Sequence, residues 1–156
     1  MSDFIAISKA NEREDSTIDN IPFFPVIKIK EVREAQRLDG TVTTERLKKA
    51  IISAIIEVNN DLTQWRWQQQ EQGIHSLEEL TEDIIDGESK YIHLYKQAVY
   101  CWANALINDR YLNYDATAKA VKQVEPEQQS AGDLYRDARY AIRDILGKSH
   151  STMELI

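Results

Sequence analysis

The sequence predicts an all-α fold: a helical bundle with two long helices, an extended N-terminal arm and a C-terminal tail. Three observations lead there. Only five glycines and three prolines occur in 156 residues, against usual frequencies of about 7% and 5%. All of them fall at the edges of apolar-periodic segments. Inside those segments apolar residues recur every three or four positions, and alternating β-branched runs are few. The chain divides accordingly into an arm over 1–25, a helical domain over 26–147 and a tail over 148–156.

Residues 1–25 lack a helical period and end in Ile21-Pro22-Phe23-Phe24-Pro25, which reads as an extended arm ordered on assembly. A short helix is expected at about Lys28–Leu38, stopped near Asp39-Gly40. Thr43 has the side chain of an N-cap, with Glu45 favourably placed in the first turn behind it. The helix from there reaches about Gln72, where Gly73 supplies the stop. Leu47, Ile51, Ala54, Ile55, Val58, Leu62 and Trp65 form its stripe, and Ile52 and Ile56 widen it. Unbroken, such a helix would be a rod of about 42 Å. His75-Ser76-Leu77-Glu78-Glu79-Leu80 reads as a capping box with a short helix behind it.

A second long helix is expected from about Glu88 to Asn113. Tyr91, Tyr95, Ala98, Trp102, Ala105 and Leu106 make one stripe, and Ile92, Leu94, Val99 and Ile107 extend it nearly all round. A helix apolar on all sides belongs at the centre of a bundle. Residues 114–126 are weaker and end at Pro126. The last helix, about Pro126–Leu146, carries Ala131, Leu134, Tyr135, Ala138, Ala141, Ile142, Ile145 and Leu146 on one face, and Gly147 ends it.

Composition narrows the function classes. The net charge is −7 and the pI near 5.0, the opposite of the basic surplus that phosphate-backbone binders carry. Cys101 is the one cysteine, which excludes an internal disulfide and a cysteine-built zinc cage and suits a reducing cytoplasm. The longest uncharged run, Gln97 to Asn108, falls well short of the ~20 residues that cross a bilayer. The N-terminus has no basic region leading into an apolar stretch, so no secretory signal is expected.

No catalytic motif stands out: there is no glycine-rich phosphate loop, His-Glu-x-x-His or Gly-x-Ser-x-Gly. His75, His93 and His150 lack ligand spacing, and Cys101 lies in the most apolar helix, where an inert buried thiol is expected. No cofactor or metal site is expected. Trp65 and Trp102 sit on apolar stripes and read as core, whereas Trp67 lies off the stripe beside Arg66 and reads as an interface residue. From Glu71 to Glu88 there are seven acids and no lysine or arginine. Paired carboxylates can hold magnesium, but without ligand periodicity this run reads as a solvated acidic loop. Arg136, Arg139 and Arg143 follow one flank of the last helix. That stripe suits an acidic partner, and the 71–88 segment of a neighbouring subunit is the partner expected.

Several motifs, in order, resemble those of one family. They are Arg37-Leu38-Asp39-Gly40-Thr41-Val42-Thr43, Asp86-Gly87-Glu88-Ser89 and Tyr111-x-x-Tyr114-Asp115-x-Thr117, followed by the run from Asp133 to Gly147 and the terminal Glu154-Leu155-Ile156. Together they resemble the head completion (head stabilisation) proteins of P2-like tailed phages and prophages, over about 85% of the chain from Phe24 onward. The resemblance implies a helical connector adaptor without catalytic residues. It implies binding beneath the portal protein ring after DNA packaging, retention of DNA, and a surface for the downstream tail-completion protein. It further implies self-association into a ring, a dodecamer on the portal, at the head–tail neck of the virion after assembly in the host cytoplasm.

The residues themselves are compatible with that picture. Long helices with wide apolar surfaces need partners, and repeated heterologous contacts close into rings. An acidic lumen would let DNA pass without specific binding. Met153, Glu154, Leu155 and Ile156 are expected to dock on the portal or an adjacent subunit as an added strand. The nearest alternative is a DNA-packaging protein of small terminase type. It would require a basic helix for duplex binding, and no segment is convincingly of that kind. A carboxylate-metal enzyme using the 71–88 acids is the third class.

Overall fold

The computed structural model describes residues 15–118 and 129–150. Thr17–Ile18 (β1) pairs antiparallel with Ile27–Lys28 (β2), Ile18 opposite Ile27. Between them the Phe24 N–H donates to the Ile21 carbonyl at 3.0 Å, closing a turn that Pro22 favours at its second position. The turn drives Phe23 and Phe24 inward, where both are buried. Residues 15–25, expected as the end of an extended arm, therefore contribute Ile18 and two phenylalanines to the core. The rest of the expected arm lies outside the described residues.

Helix α1, Ile29–Ala35, stops earlier than the Asp39-Gly40 signal suggested. Arg37 takes the left-handed conformation at φ 51°, and the Leu38 and Arg37 N–H groups return to the Arg33 and Glu34 carbonyls. That is a Schellman ending with arginine where glycine is usual. The Arg33 guanidinium then donates to the Asp39 carbonyl at 2.7 Å and the Val42 carbonyl at 2.9 Å. Asp39 accepts from the Thr41 N–H and hydroxyl, which holds its carboxyl below the usual carboxylate range.

Helix α2, Thr44–Asp61, begins at the expected N-cap: the Thr43 side chain accepts from the Arg46 N–H. Leu47, Ile51, Ala54 and Val58 are fully buried along it. Ile52 and Ile56, one turn apart, remain largely exposed. The expected rod breaks at Leu62, and Thr63–Glu71 (α3) follows as a separate helix. Asn59-Asn60-Asp61 are weak helix formers. The Thr63 hydroxyl also donates to the Asn59 carbonyl at 2.9 Å, a back-bond that bends helices. Gly73, at φ 84°, ends α3 with the Ile74 N–H returning to the Gln69 carbonyl. The expected capping box does not form: the Ser76 side chain makes no cap hydrogen bond. Glu79 accepts from the His75 N–H at 2.7 Å, and only a single 3-10 turn, Leu77–Glu79, stands behind it.

Ile84–Ile85 (β3) and Glu88–Ser89 (β4) form a hairpin. Its turn is Asp86-Gly87, at φ 49° and 77°, the mirror-image turn whose twist matches antiparallel strands and which Asp-Gly favours. Helix α4, Lys90–Ala118, continues directly from it. Tyr95, Ala98, Val99, Ala103 and Ala105 are fully buried, as its all-round apolar pattern predicts. Helix α5, Ala131–Leu146, packs most extensively on α4, whose other main neighbour is α2. Ser130 caps α5 by accepting from the Asp133 N–H, and Gly147 ends it at φ 68°. The fold is thus mostly helical, with two small two-stranded sheets that the all-α expectation lacked. Of the two long helices expected, α4 alone is unbroken, starting at Lys90 because Glu88 and Ser89 belong to β4.

Candidate interaction site

The chemistry-bearing groups sort into a closed polar knot and an open groove. In the knot, the Tyr95 hydroxyl donates to Asn59 Oδ1 at 2.6 Å and accepts from Asn20 Nδ2 at 2.8 Å. Asn59 Nδ2 donates to Asn20 Oδ1 at 3.0 Å. Asn20 completes its set with the Pro25 carbonyl and the Ile21 N–H. The Phe24 ring stacks on Tyr95 at 4.6 Å, and Phe23 meets Phe24 and Trp65 edge-on. Burial drives the Tyr95 hydroxyl well above its ordinary pKa, with the two asparagines opposing. Every partner is satisfied, so the knot holds the fold together.

The groove runs between α2 and α5 over the second half of α4. One end is lined by Arg46, Lys49, Ala50, Leu106, Ile107 and Arg110. Its middle, an open cleft of about 440 Å³, is lined by Ser53, Glu57, Trp102, Leu106, Arg110, Tyr135 and Arg139. The far end adds Asp61, Ile142, Arg143, Leu146 and Lys148 beside Arg139. Leu106 and Arg110 join the first two sections, and Arg139 joins the last two, so six cations border one continuous surface. Trp102 meets Tyr135 edge-on at 5.3 Å on its floor. Burial, then a hydrogen bond to Asp109, pushes the Tyr135 hydroxyl up to about 12.

The three arginines of the expected stripe have different surroundings. Arg136 is paired within its own helix, 3.2 Å from Asp133 and 3.6 Å from Asp137. Arg139 faces the groove across from Glu57 and Asp61, and its charge lowers the Asp61 pKa that burial and Glu57 raise. Arg143 borders the far end, and its Nη1 donates to the Ser149 carbonyl at 2.7 Å. Trp67 is exposed on α3 and is not among the residues that line the groove, whereas Trp65 stacks on Tyr91 at 5.7 Å. Met153, Glu154, Leu155 and Ile156 lie outside the described residues.

The acidic segment 71–88 is exposed through most of its length. Among the described residues no group of three or more His, Cys, Asp or Glu side chains is arranged to hold a metal ion. None of the described helices is long and apolar enough to cross a membrane. Cys101 is buried, which pushes its thiol up to about 11. The sequence reading missed the knot, whose three residues are 36 to 75 positions apart and carry no local signal. It also missed the hairpin, although Asp-Gly after two isoleucines is a strong short-range cue.

The model of the family described as phage head completion protein (GPL) matches residues 18–156. The chain belongs to that family. As a head completion protein it is 38% identical, over 135 residues, to the head completion/stabilization protein of Escherichia phage P2, covering 86% of this chain and 80% of that one. It is 23% identical, over 148 residues, to the probable head completion/stabilization protein of Haemophilus phage HP1 (strain HP1c1), covering 95% and 97%. No solved structure gives a significant match.

Three of the motifs that carried the resemblance have structural roles among the described residues of this head completion protein. Arg37–Thr43 is the loop closed by Arg33 and Asp39. Asp86–Ser89 is the hairpin turn and second strand, and Asp133–Gly147 is α5 with its left-handed stop.

Proposed function

We propose that the chain completes DNA-filled heads. It binds beneath the portal ring once packaging ends, retains the DNA, and presents the surface that the tail-completion protein joins. Copies self-associate into a ring, twelvefold on the portal, through which DNA passes without specific binding. The 148–156 tail docks on the portal or an adjacent subunit, and the protein resides at the head–tail neck after assembly in the host cytoplasm. The observation that carries this reading is the family match across residues 18–156. The net charge of −7 supports passage of DNA, since like charges repel phosphate.

The test uses DNA-filled, tailless heads from an infection lacking this protein. Added purified protein should restore nuclease protection of the packaged DNA and the ability to accept tails, without changing packaging into empty proheads. A chain lacking 150–156 should fold yet fail to attach. Absence of binding to filled heads, with specific binding to phage duplex DNA, would replace this reading with a packaging role.

A further inference from the structure

We propose that the β3–β4 hairpin of one copy seats in the α2–α4–α5 groove of the next. This deepens the proposed ring by naming its contact, and rests on that reading only for where the ring assembles. The hairpin is an acidic knob with two exposed isoleucines on its first strand. Ile84 and Ile85 are 53% and 56% exposed. Successive strand residues point to opposite faces, so each face of the hairpin carries one exposed isoleucine, although Ser89 opposite Ile84 is buried. Glu82, Asp83 and Asp86 surround them and are exposed too.

The hairpin is held rigidly. The Lys90 N–H donates to the Asp83 carbonyl at 2.8 Å, Lys90 Nζ meets Asp83 Oδ2 at 2.6 Å, and His93 Nε2 lies 2.6 Å from the Ile85 carbonyl. A rigid knob loses little conformational entropy on docking.

The groove has the complementary character. Trp102, Leu106 and Tyr135 give it an apolar floor, and Arg46, Lys49, Arg110 and Arg139 stand around that floor, with Glu57 among them, Asp61 near Arg139 and Asp109 on the Tyr135 hydroxyl. Within a chain of net charge −7, this concentration of cations selects an acidic occupant.

The chain's own hairpin cannot reach it. The hairpin is fixed at Lys90, and Leu106 lies sixteen residues further along a continuous helix, about 24 Å away at 1.5 Å per residue. The knob and groove that fit are therefore on different copies. Because they are different surfaces, a joined pair of copies still has one free knob and one free groove, and the contact repeats.

The test introduces Ile85→Cys and Leu106→Cys into one full-length chain, with each single variant and the unmodified chain as controls. Both positions are at least partly exposed, and circular dichroism checks the fold. A short bismaleimide is added to concentrated protein at low salt and to protein bound on filled heads. The double variant should give a ladder of covalent multimers beyond the dimer. The single variants should stop at dimers, and the unmodified chain, whose Cys101 is buried, should give none.

A second arm reverses charge. Arg139→Glu should weaken assembly about tenfold, and Glu82→Lys in the same chain should restore most of the loss. A ladder in either setting together with the rescue supports the contact. No ladder in both, or no rescue, overturns it. Filled heads that regain nuclease protection while the ladder is absent would overturn this contact and leave head completion standing. If no variant binds heads, head completion fails and free protein alone decides the contact. Duplex DNA binding lost on Arg139→Glu, with no ladder, would assign the groove to phosphate instead.

Discussion

The knot around Tyr95 and the groove over Trp102 both combine aromatic rings with polar groups, yet they use them in opposite ways. In the knot, Asn20, Asn59 and Tyr95 are each hydrogen-bonded to the other two, and Tyr95 is fully buried. In the groove, Arg139 and Arg110 are exposed and border apolar rings rather than closing on a buried network. Buried polar groups stabilise a fold only when fully paired. A charged, half-apolar surface outside such a network retains interaction capacity for a partner. The contrast makes one region of the molecule a structural anchor and another a docking surface.

The largest effect expected is on the anchor. Phe24→Ala removes a buried ring stacked at 4.6 Å on Tyr95 and packed against Phe23, so denaturant unfolding should show a loss of about 3–5 kcal/mol. A loss below about 1 kcal/mol would mean that β1, β2 and their turn only rest on the bundle. Tyr95→Phe is subtler: the ring stays and the hydroxyl goes, leaving Asn59 Oδ1 and one Asn20 N–H without their partner. Roughly 1–3 kcal/mol should be lost, with head attachment unchanged once the protein is folded. An attachment defect in a stable Tyr95→Phe protein would blur the division between anchor and surface.

How much of this could be read in the sequence follows the range of the interactions. Thr43, Gly73 and Gly147 were readable as helix boundaries because capping is decided within a few residues. The central position of α4 was readable because apolar residues on every side allow no other placement. The break at Leu62 was not, since the apolar period continues through it. What ends α2 is a Thr63 back-bond and an Asn59 side chain committed to Tyr95, 36 residues away. The Arg136–Arg139–Arg143 stripe was legible as a spacing, but not the pairing of Arg136 with Asp133 and Asp137 that separates it from Arg139. The groove needs α2 and α5 set side by side over α4, which no local pattern specifies.

The smallest effect tests the groove from its acidic wall. Asp61 ends α2, and burial first, then Glu57 one turn earlier, raises its pKa, with Arg139 opposing. A carboxyl whose folded pKa lies above its unfolded value binds its proton more readily in the folded state. Its contribution to stability is present in full below the unfolded value near 3.8, and is lost as pH rises through the raised folded value. Asp61→Asn imitates the protonated form at every pH. The two proteins should therefore melt alike near about pH 3, where both forms are neutral, and the variant should melt slightly higher at neutral pH. The opposite order at neutral pH would show that attraction to Arg139 outweighs burial and Glu57. Arg139 would then be held by its own chain's acid, and the groove would offer an acidic hairpin one cation fewer.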